Sequence, residues 1–186
     1  MNSKLKIGLA ILAVGLIASL SEKFFSDGEK RPVSGTLYDF KIPALNGKEI
    51  DFSQFKGKYV MIVNTASKCG FTPQYADLQK LHEQYNGKVA VLGFPANNFL
   101  WQEPGTNHDI EEFCQMNYGV SFQMFEKVSV KGDDKHPLYA WLEAKTGKSP
   151  SWNFCKFLIN PEGEVLAFYP SKTSPLDKEI IDQINR

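Results

Sequence analysis

Residues 59–73 run Tyr59-Val60-Met61-Ile62-Val63-Asn64-Thr65-Ala66-Ser67-Lys68-Cys69-Gly70-Phe71-Thr72-Pro73. Tyr59 to Val63 is a continuous apolar, β-branched run, the pattern of a buried parallel strand. Thr72 and Pro73 suit a helix start, with Thr72 as N-cap and Pro73 at the first helical position, where a missing N–H costs nothing. Pro73 to Tyr85 then carries Leu78, Leu81 and Tyr85 at helical spacing, and Val89 to Phe94 is a second buried strand. Together they make a βαβ unit. In open α/β sheets, active sites gather beyond the carboxyl ends of the strands, which is where Cys69 stands. Lys68 and the positive end of the helix dipole both favour its charged sulfur, the reactive form. The other fate of a lone cysteine is that of a small buried core residue.

Working outward, Leu37 to Phe40 reads as a short strand, Asn46-Gly47 as a hairpin turn and Glu49 to Phe52 as the returning strand. Beyond the βαβ unit, Pro95 to Gly105 is irregular. Thr106 with Asp109 three residues later forms a capping-box pattern. The helix it opens presents Ile110, Phe113 and Cys114 on one face and stops near Gly119. Phe125 to Val130 suggests a strand, and His136-Pro137 opens a helix with Leu138, Trp141 and Leu142 inward. Phe154 to Ile159 and Val165 to Tyr169 make a hairpin around Asn160-Pro161-Glu162-Gly163. A last helix runs from about Pro175 to the end, with Ile180, Ile181 and Ile184 inward. Helices interspersed with a mixed central sheet give an α/β class and a thioredoxin-like sandwich.

The 186 residues are 42% hydrophobic, enough for one good core. The 21 basic and 21 acidic residues balance, and no long basic run supports nucleic-acid binding. Three cysteines are too few for a disulfide scaffold, and no C-x-x-C pair occurs. His82, His108 and His136 lack metal-ligand spacing, so neither a metal nor another cofactor is expected. At the N-terminus, Lys4 and Lys6 precede an apolar stretch from Ile7 to Leu20. As a helix it would span about 21 Å, short of the roughly 30 Å of a bilayer core. Residues 1–21 therefore read as a signal peptide, with an uncleaved membrane anchor as the alternative. Residues 22–35 read as a polar linker and 36–186 as the folded domain. On this pattern the chain is exported, periplasmic or anchored facing the non-cytoplasmic side.

Three segments have to be taken together: the Cys69 corner, Gly93-Phe94-Pro95-Ala96-Asn97-Asn98-Phe99-Leu100-Trp101-Gln102-Glu103-Pro104-Gly105, and Trp152-Asn153-Phe154-Cys155-Lys156-Phe157. In this order they closely resemble the glutathione peroxidase family, across roughly residues 36 to 184. The resemblance implies a thioredoxin-like enzyme that reduces hydrogen peroxide and organic or lipid hydroperoxides with thiols, in oxidative-stress defence. It assigns Cys69 as the peroxidatic residue and Trp152 and Asn153 as donors aimed at the sulfur. Many relatives have Cys-Asn-Gln-Phe where this chain has Ala96-Asn97-Asn98-Phe99. Asn98 is thereby aligned with the family's catalytic glutamine, shorter by one methylene or roughly 1.5 Å of reach. Cys114 resembles the resolving cysteine of thioredoxin-dependent members, which traps the sulfenic acid of the first cysteine as a disulfide. Core filler is the competing role for Cys114 and the favoured one for Cys155.

The implied reductant is a thioredoxin-like protein or glutathione. The segment between Trp141 and Trp152 is short, where tetrameric relatives carry a longer insertion, so a monomer is expected. Membrane contact is expected only through the N-terminal segment, if uncleaved. Two other functions compete: an exported thiol-disulfide oxidoreductase, opposed by the missing C-x-x-C, and a peroxide-sensing redox relay built on Cys69 and Cys114.

Overall fold

The computed structural model describes residues 35–186. The signal peptide or anchor expected over 1–21, and all but the last residue of the linker expected over 22–35, lie outside the described residues. A short antiparallel hairpin comes first, pairing β1 (Lys41–Pro43) with β2 (Glu49–Asp51). Its turn is the expected Asn46-Gly47: Gly47 adopts φ 78° and the Lys48 N–H donates to Asn46 Oδ1 at 3.0 Å. The main sheet contains β3 (Tyr59–Thr65), β4 (Val89–Pro95), β5 (Gln123–Met124), β6 (Lys156–Ile159) and β7 (Val165–Tyr169) in the spatial order β5-β4-β3-β6-β7. β3, β4 and β5 are mutually parallel, whereas β6 runs antiparallel to β3.

Four helices cover the sheet: α1 (Gln74–Gln84), α2 (Asn107–Tyr118), α3 (Pro137–Thr146) and α4 (Lys178–Ile184). Alternation along β3 divides the core. Val60 and Ile62 face a layer with Phe94, Phe125 and the Leu138 and Trp141 of α3. Met61 and Val63 face the opposite layer, which holds Tyr75 and Leu78 of α1, Ile110 and Cys114 of α2, and Ile180 and Ile184 of α4. This is an α/β sandwich with a mixed central sheet, as the pattern implied. The Thr106–Asp109 capping box forms, and Gly119 ends α2 in the left-handed conformation at φ 61°. Among the described residues no helix is long and apolar enough to cross a membrane.

Four local expectations give way to local chemistry. Leu37–Asp39 is a 3-10 turn instead of a strand, because Thr36 accepts from the Tyr38 N–H and donates its own N–H to Asp39. The strand expected over Phe125 to Val130 does not form; the strand here is Gln123–Met124, immediately upstream. Downstream its amides go elsewhere: Glu126 to the Pro43 carbonyl, Lys127 to Asn107 Oδ1 and Val128 to the Pro95 carbonyl. Phe154 and Cys155 precede β6 instead of opening it. The last helix begins at Lys178, where Asp177 caps it by accepting the Glu179 N–H.

Candidate active site

Three segments converge at one edge of the sheet. Cys69 follows the carboxyl end of β3, and residues 96–105 follow that of β4. Because β6 is antiparallel to β3, with Lys156 opposite Val63, the segment leading into β6 arrives at the same edge. That segment contains Trp152 and Asn153.

The Cys69 corner is fastened by Thr72. The Cys69 N–H donates to Thr72 Oγ1 at 3.0 Å, and the Thr72 hydroxyl donates to the Ala66 carbonyl at 2.9 Å. Thr72 is therefore not the cap of α1. The helix starts after Pro73, which occupies the cap position with no side-chain hydrogen bond. The corner turns the Phe71 N–H onto Cys69 Sγ at 3.4 Å, a backbone donor that no residue-type pattern revealed. Cys69 is only 7% exposed. Lys68 is exposed, and its N–H donates to the Gln102 carbonyl at 3.0 Å, stitching the corner to the segment after β4.

Asn64, fully buried in β3, locks the Trp152 segment in place. Its Nδ2 donates to the Trp152 carbonyl at 2.9 Å, its Oδ1 accepts from the Cys155 N–H at 3.0 Å, and its carbonyl accepts from the Phe154 N–H. Between those anchors Phe154 adopts φ 63°, a left-handed conformation costly for an aromatic residue. Burial holds it there, with the Phe154 ring edge-on to Tyr75 at 5.4 Å. Trp152 is half-buried, its ring 5.7 Å from that of Phe99, and it packs against the same layer as Cys69.

Asn153 is fully buried. Its Nδ2 donates to Gln102 Oε1 at 2.9 Å, and its Oδ1 has no protein partner. Asn98 is turned to other work. Its Oδ1 accepts from the Val130 N–H at 2.8 Å, and its Nδ2 donates to Ser129 Oγ at 2.9 Å. Both ends of that amide brace the 129–131 segment, so the shortened reach considered for Asn98 is not what supplies an amide here. Gln102 is the amide that meets Asn153. It lies in the same quoted segment, four residues beyond Asn98, and sequence reasoning passed over it.

Cys114 lies in α2, 1% exposed, in the same packed layer as Cys69, and both thiols are free. Burial pushes the Cys114 thiol up to about 11, so it is protonated at neutral pH. Between the Cys69 corner and α2 lies a cavity of about 360 Å³, lined by Ser67, Lys68, Glu103, Ile110 and Phe113 among others. Glu103 is 1% exposed with Oε2 unpartnered, and burial raises its carboxyl. Cys155 is buried beside Ser171, with Sγ 3.6 Å from its hydroxyl. Among the described residues no cluster of three or more His, Cys, Asp or Glu side chains is arranged to hold a metal ion.

A glutathione peroxidase family model matches residues 37–143. The chain belongs to the glutathione peroxidase family. It is 50% identical over 148 residues to the glutathione peroxidase of Lactococcus lactis subsp. cremoris, a match that covers 77% of this chain and 94% of that one. It is 45% identical over 153 residues to glutathione peroxidase-like peroxiredoxin 2 of Saccharomyces cerevisiae, covering 78% and 94%. Among solved structures, that of Trgpx in apo form aligns with a TM-score of 0.64 at 37% identity, covering 82% of this chain and 98% of that one. The matches cover 94–98% of each of these relatives, so little of them lies outside the stretch they share with this chain. The protein is thus a thiol-dependent peroxidase with a thioredoxin-like fold, and in this glutathione peroxidase the thiol chemistry has to be found among Cys69, Cys114 and Cys155.

Proposed function

We propose that Cys69 reduces the hydroperoxide and that Cys114 resolves the product, with Gln102, Asn153 and Trp152 serving the first step. The Cys69 thiolate attacks one peroxide oxygen. The S–O bond forms, the O–O bond breaks, and the departing alkoxide takes a proton to leave as an alcohol, or as water from hydrogen peroxide. Cys69 is then a sulfenic acid. The Cys114 sulfur attacks it, the S–S bond forms, and hydroxide leaves as water with the thiol proton. Two thiols of a thioredoxin-like protein, or two glutathione molecules, return both cysteines to the reduced form.

One observation carries the assignment: the Phe71 N–H held against Cys69 Sγ, on a corner that the Lys68 N–H ties to the carbonyl of Gln102, whose side chain meets Asn153. A sulfur that expels an alkoxide gains from fixed donors around the reacting atoms, and these are fixed by backbone and by burial. The test is peroxide consumption by purified protein with thioredoxin or glutathione supplied. Cys69→Ser abolishes it. Cys114→Ser still consumes one equivalent of peroxide but does not turn over with thioredoxin. Full thioredoxin-dependent turnover by Cys114→Ser would remove the resolving role.

We also infer an exported protein, signal-bearing or anchored through residues 1–21, whose domain acts as a monomer. The basic, then apolar, N-terminal pattern and the short 141–152 segment support this. Cell fractionation with N-terminal sequencing of the mature protein, and sedimentation of the soluble domain, test the two statements separately.

A further inference from the structure

Next to the site the chain does something costly without a reason in its own stability. Phe99 points inward, 4% exposed, with its ring against Trp152. Gln102 returns inward to Asn153. Between them Leu100 and Trp101 both take left-handed backbone conformations, at φ 51° and φ 50°. That region suits glycine or asparagine and penalises branched and aromatic side chains. The turn is closed by the Gln102 N–H donating to the Phe99 carbonyl at 3.3 Å. Its two side chains are 71% and 78% exposed, so neither contributes to the core. The stem of this tip is the active site, and its summit is a leucine and a tryptophan in water.

Two lysines belong to segments joined to this turn. Lys131 lies with Nζ 5.9 Å from the centre of the Phe99 ring, and Lys68 is tied through its N–H to the residue after Trp101. Both are exposed. Asp133 and Asp134 are exposed in the same turn as Lys131, and Asp134 accepts from the Ser129 hydroxyl at 3.0 Å. The chain carries no net charge and acidic side chains accompany Lys131, so the tip's attraction to a surface rests on its apolar pair, with the lysines as local phosphate contacts.

We propose that the Leu100–Trp101 tip is a bilayer-insertion element that seats the active-site edge of this peroxidase on a lipid surface. A protruding pair of side chains is too small to be a stable protein interface, which needs about 800 Å² from each partner. It has the composition of an interfacial anchor: tryptophan, whose ring prefers the headgroup level, beside an aliphatic residue, with lysines placed to meet lipid phosphates. Seated this way, the sulfur faces hydroperoxides that have partitioned into the bilayer. The inference goes beyond the catalytic roles proposed above, and its vesicle-binding readout does not depend on them.

The experiment uses residues 33–186, the domain that relatives carry nearly alone, so that the N-terminal segment cannot bind lipid in its place. Flotation with phosphatidylcholine vesicles containing about a third phosphatidylglycerol is compared for the wild type and for Leu100→Gly/Trp101→Asn. The replacements suit the left-handed backbone, so the variant folds at least as well. The wild type binds at least about tenfold more tightly, with a blue shift in tryptophan emission that the variant lacks. Lys131→Gln binds the anionic vesicles more weakly than the wild type does. Hydrogen peroxide turnover in vesicle-free solution is the same for the wild type and the double variant, while reduction of a phospholipid hydroperoxide within the vesicles falls about tenfold. Equal flotation of wild type and double variant overturns the proposal. So does loss of thioredoxin-dependent turnover in vesicle-free solution with vesicle binding unchanged, which gives the tip to the protein reductant.

Discussion

At the scale of single residues, Asn64 carries more of the site than its lack of reactivity suggests. It satisfies a buried carbonyl and a buried amide of the 152–155 segment with one side chain. Asn64→Ala leaves both without partners and costs about 2–4 kcal/mol of stability, read by urea denaturation. Peroxide turnover drops with it, because Trp152 and Asn153 lose their anchor. Gln102 and Asn98 separate by role. Gln102→Ala lowers kcat/KM for hydrogen peroxide on the order of 10–100-fold with an unchanged circular dichroism spectrum. Asn98→Ala loosens the 129–131 segment and leaves the rate within about twofold, because that amide bonds only there. The sequence makes Cys69, Trp152 and Asn153 legible, since their residue types and order are distinctive. It hides the choice between two amides four positions apart, because that choice depends on which way a loop turns. The Phe71 N–H is invisible for a simpler reason: every residue but proline has one.

At the scale of elements, long periodic segments and caps were legible and short ones were not. The capping box at Thr106 and the glycine after Tyr118 set both ends of α2 as the pattern implies. The expected strand over Phe125 to Val130 failed because its amides found a side chain and the terminal carbonyls of β1 and β4, partners that only tertiary structure brings near. Helix α2 has its own chemical signature. Cys114 is buried in it with a pKa of about 11 against 9.0 for a free thiol. Its thiol form therefore stabilises the fold below about pH 9, and that contribution is lost as pH rises toward 11. In reduced protein at pH 8, iodoacetamide labels Cys114 far more slowly than it does in urea-unfolded protein, and labelling accelerates between pH 9 and 11. Mass spectrometry of the peptides reads this directly. Rapid labelling at pH 8 would mean that α2 opens readily and holds Cys114 only loosely.

At the scale of the whole molecule, the mixed sheet explains why remote segments share one edge: parallel β3 and β4 end there, and antiparallel β6 begins there. The same arrangement buries Lys156 at the start of β6, where its ammonium donates to the carbonyls of Ser171 and Thr173. Burial lowers its pKa to about 8 from 10.5. Below about pH 8 the folded protein must carry a buried charge. Between about 8 and 10.5 the unfolded chain holds a proton that the folded one has released, so stability from this group rises with pH. Relative to Lys156→Met, the wild type gains unfolding free energy between pH 7 and pH 9 in urea titrations, and a flat difference would refute the assignment. The placement of β6 also has a consequence in time. Cys69 is synthesised about 80 residues before Trp152, which at about 5–20 residues per second is several seconds. During that interval the nascent chain displays its cysteine without the segment that later encloses it, and Cys114 emerges midway. The newborn polypeptide is then at its most vulnerable to the oxidant it will later destroy, and its safety rests on how fast the Trp152 segment and β6 arrive.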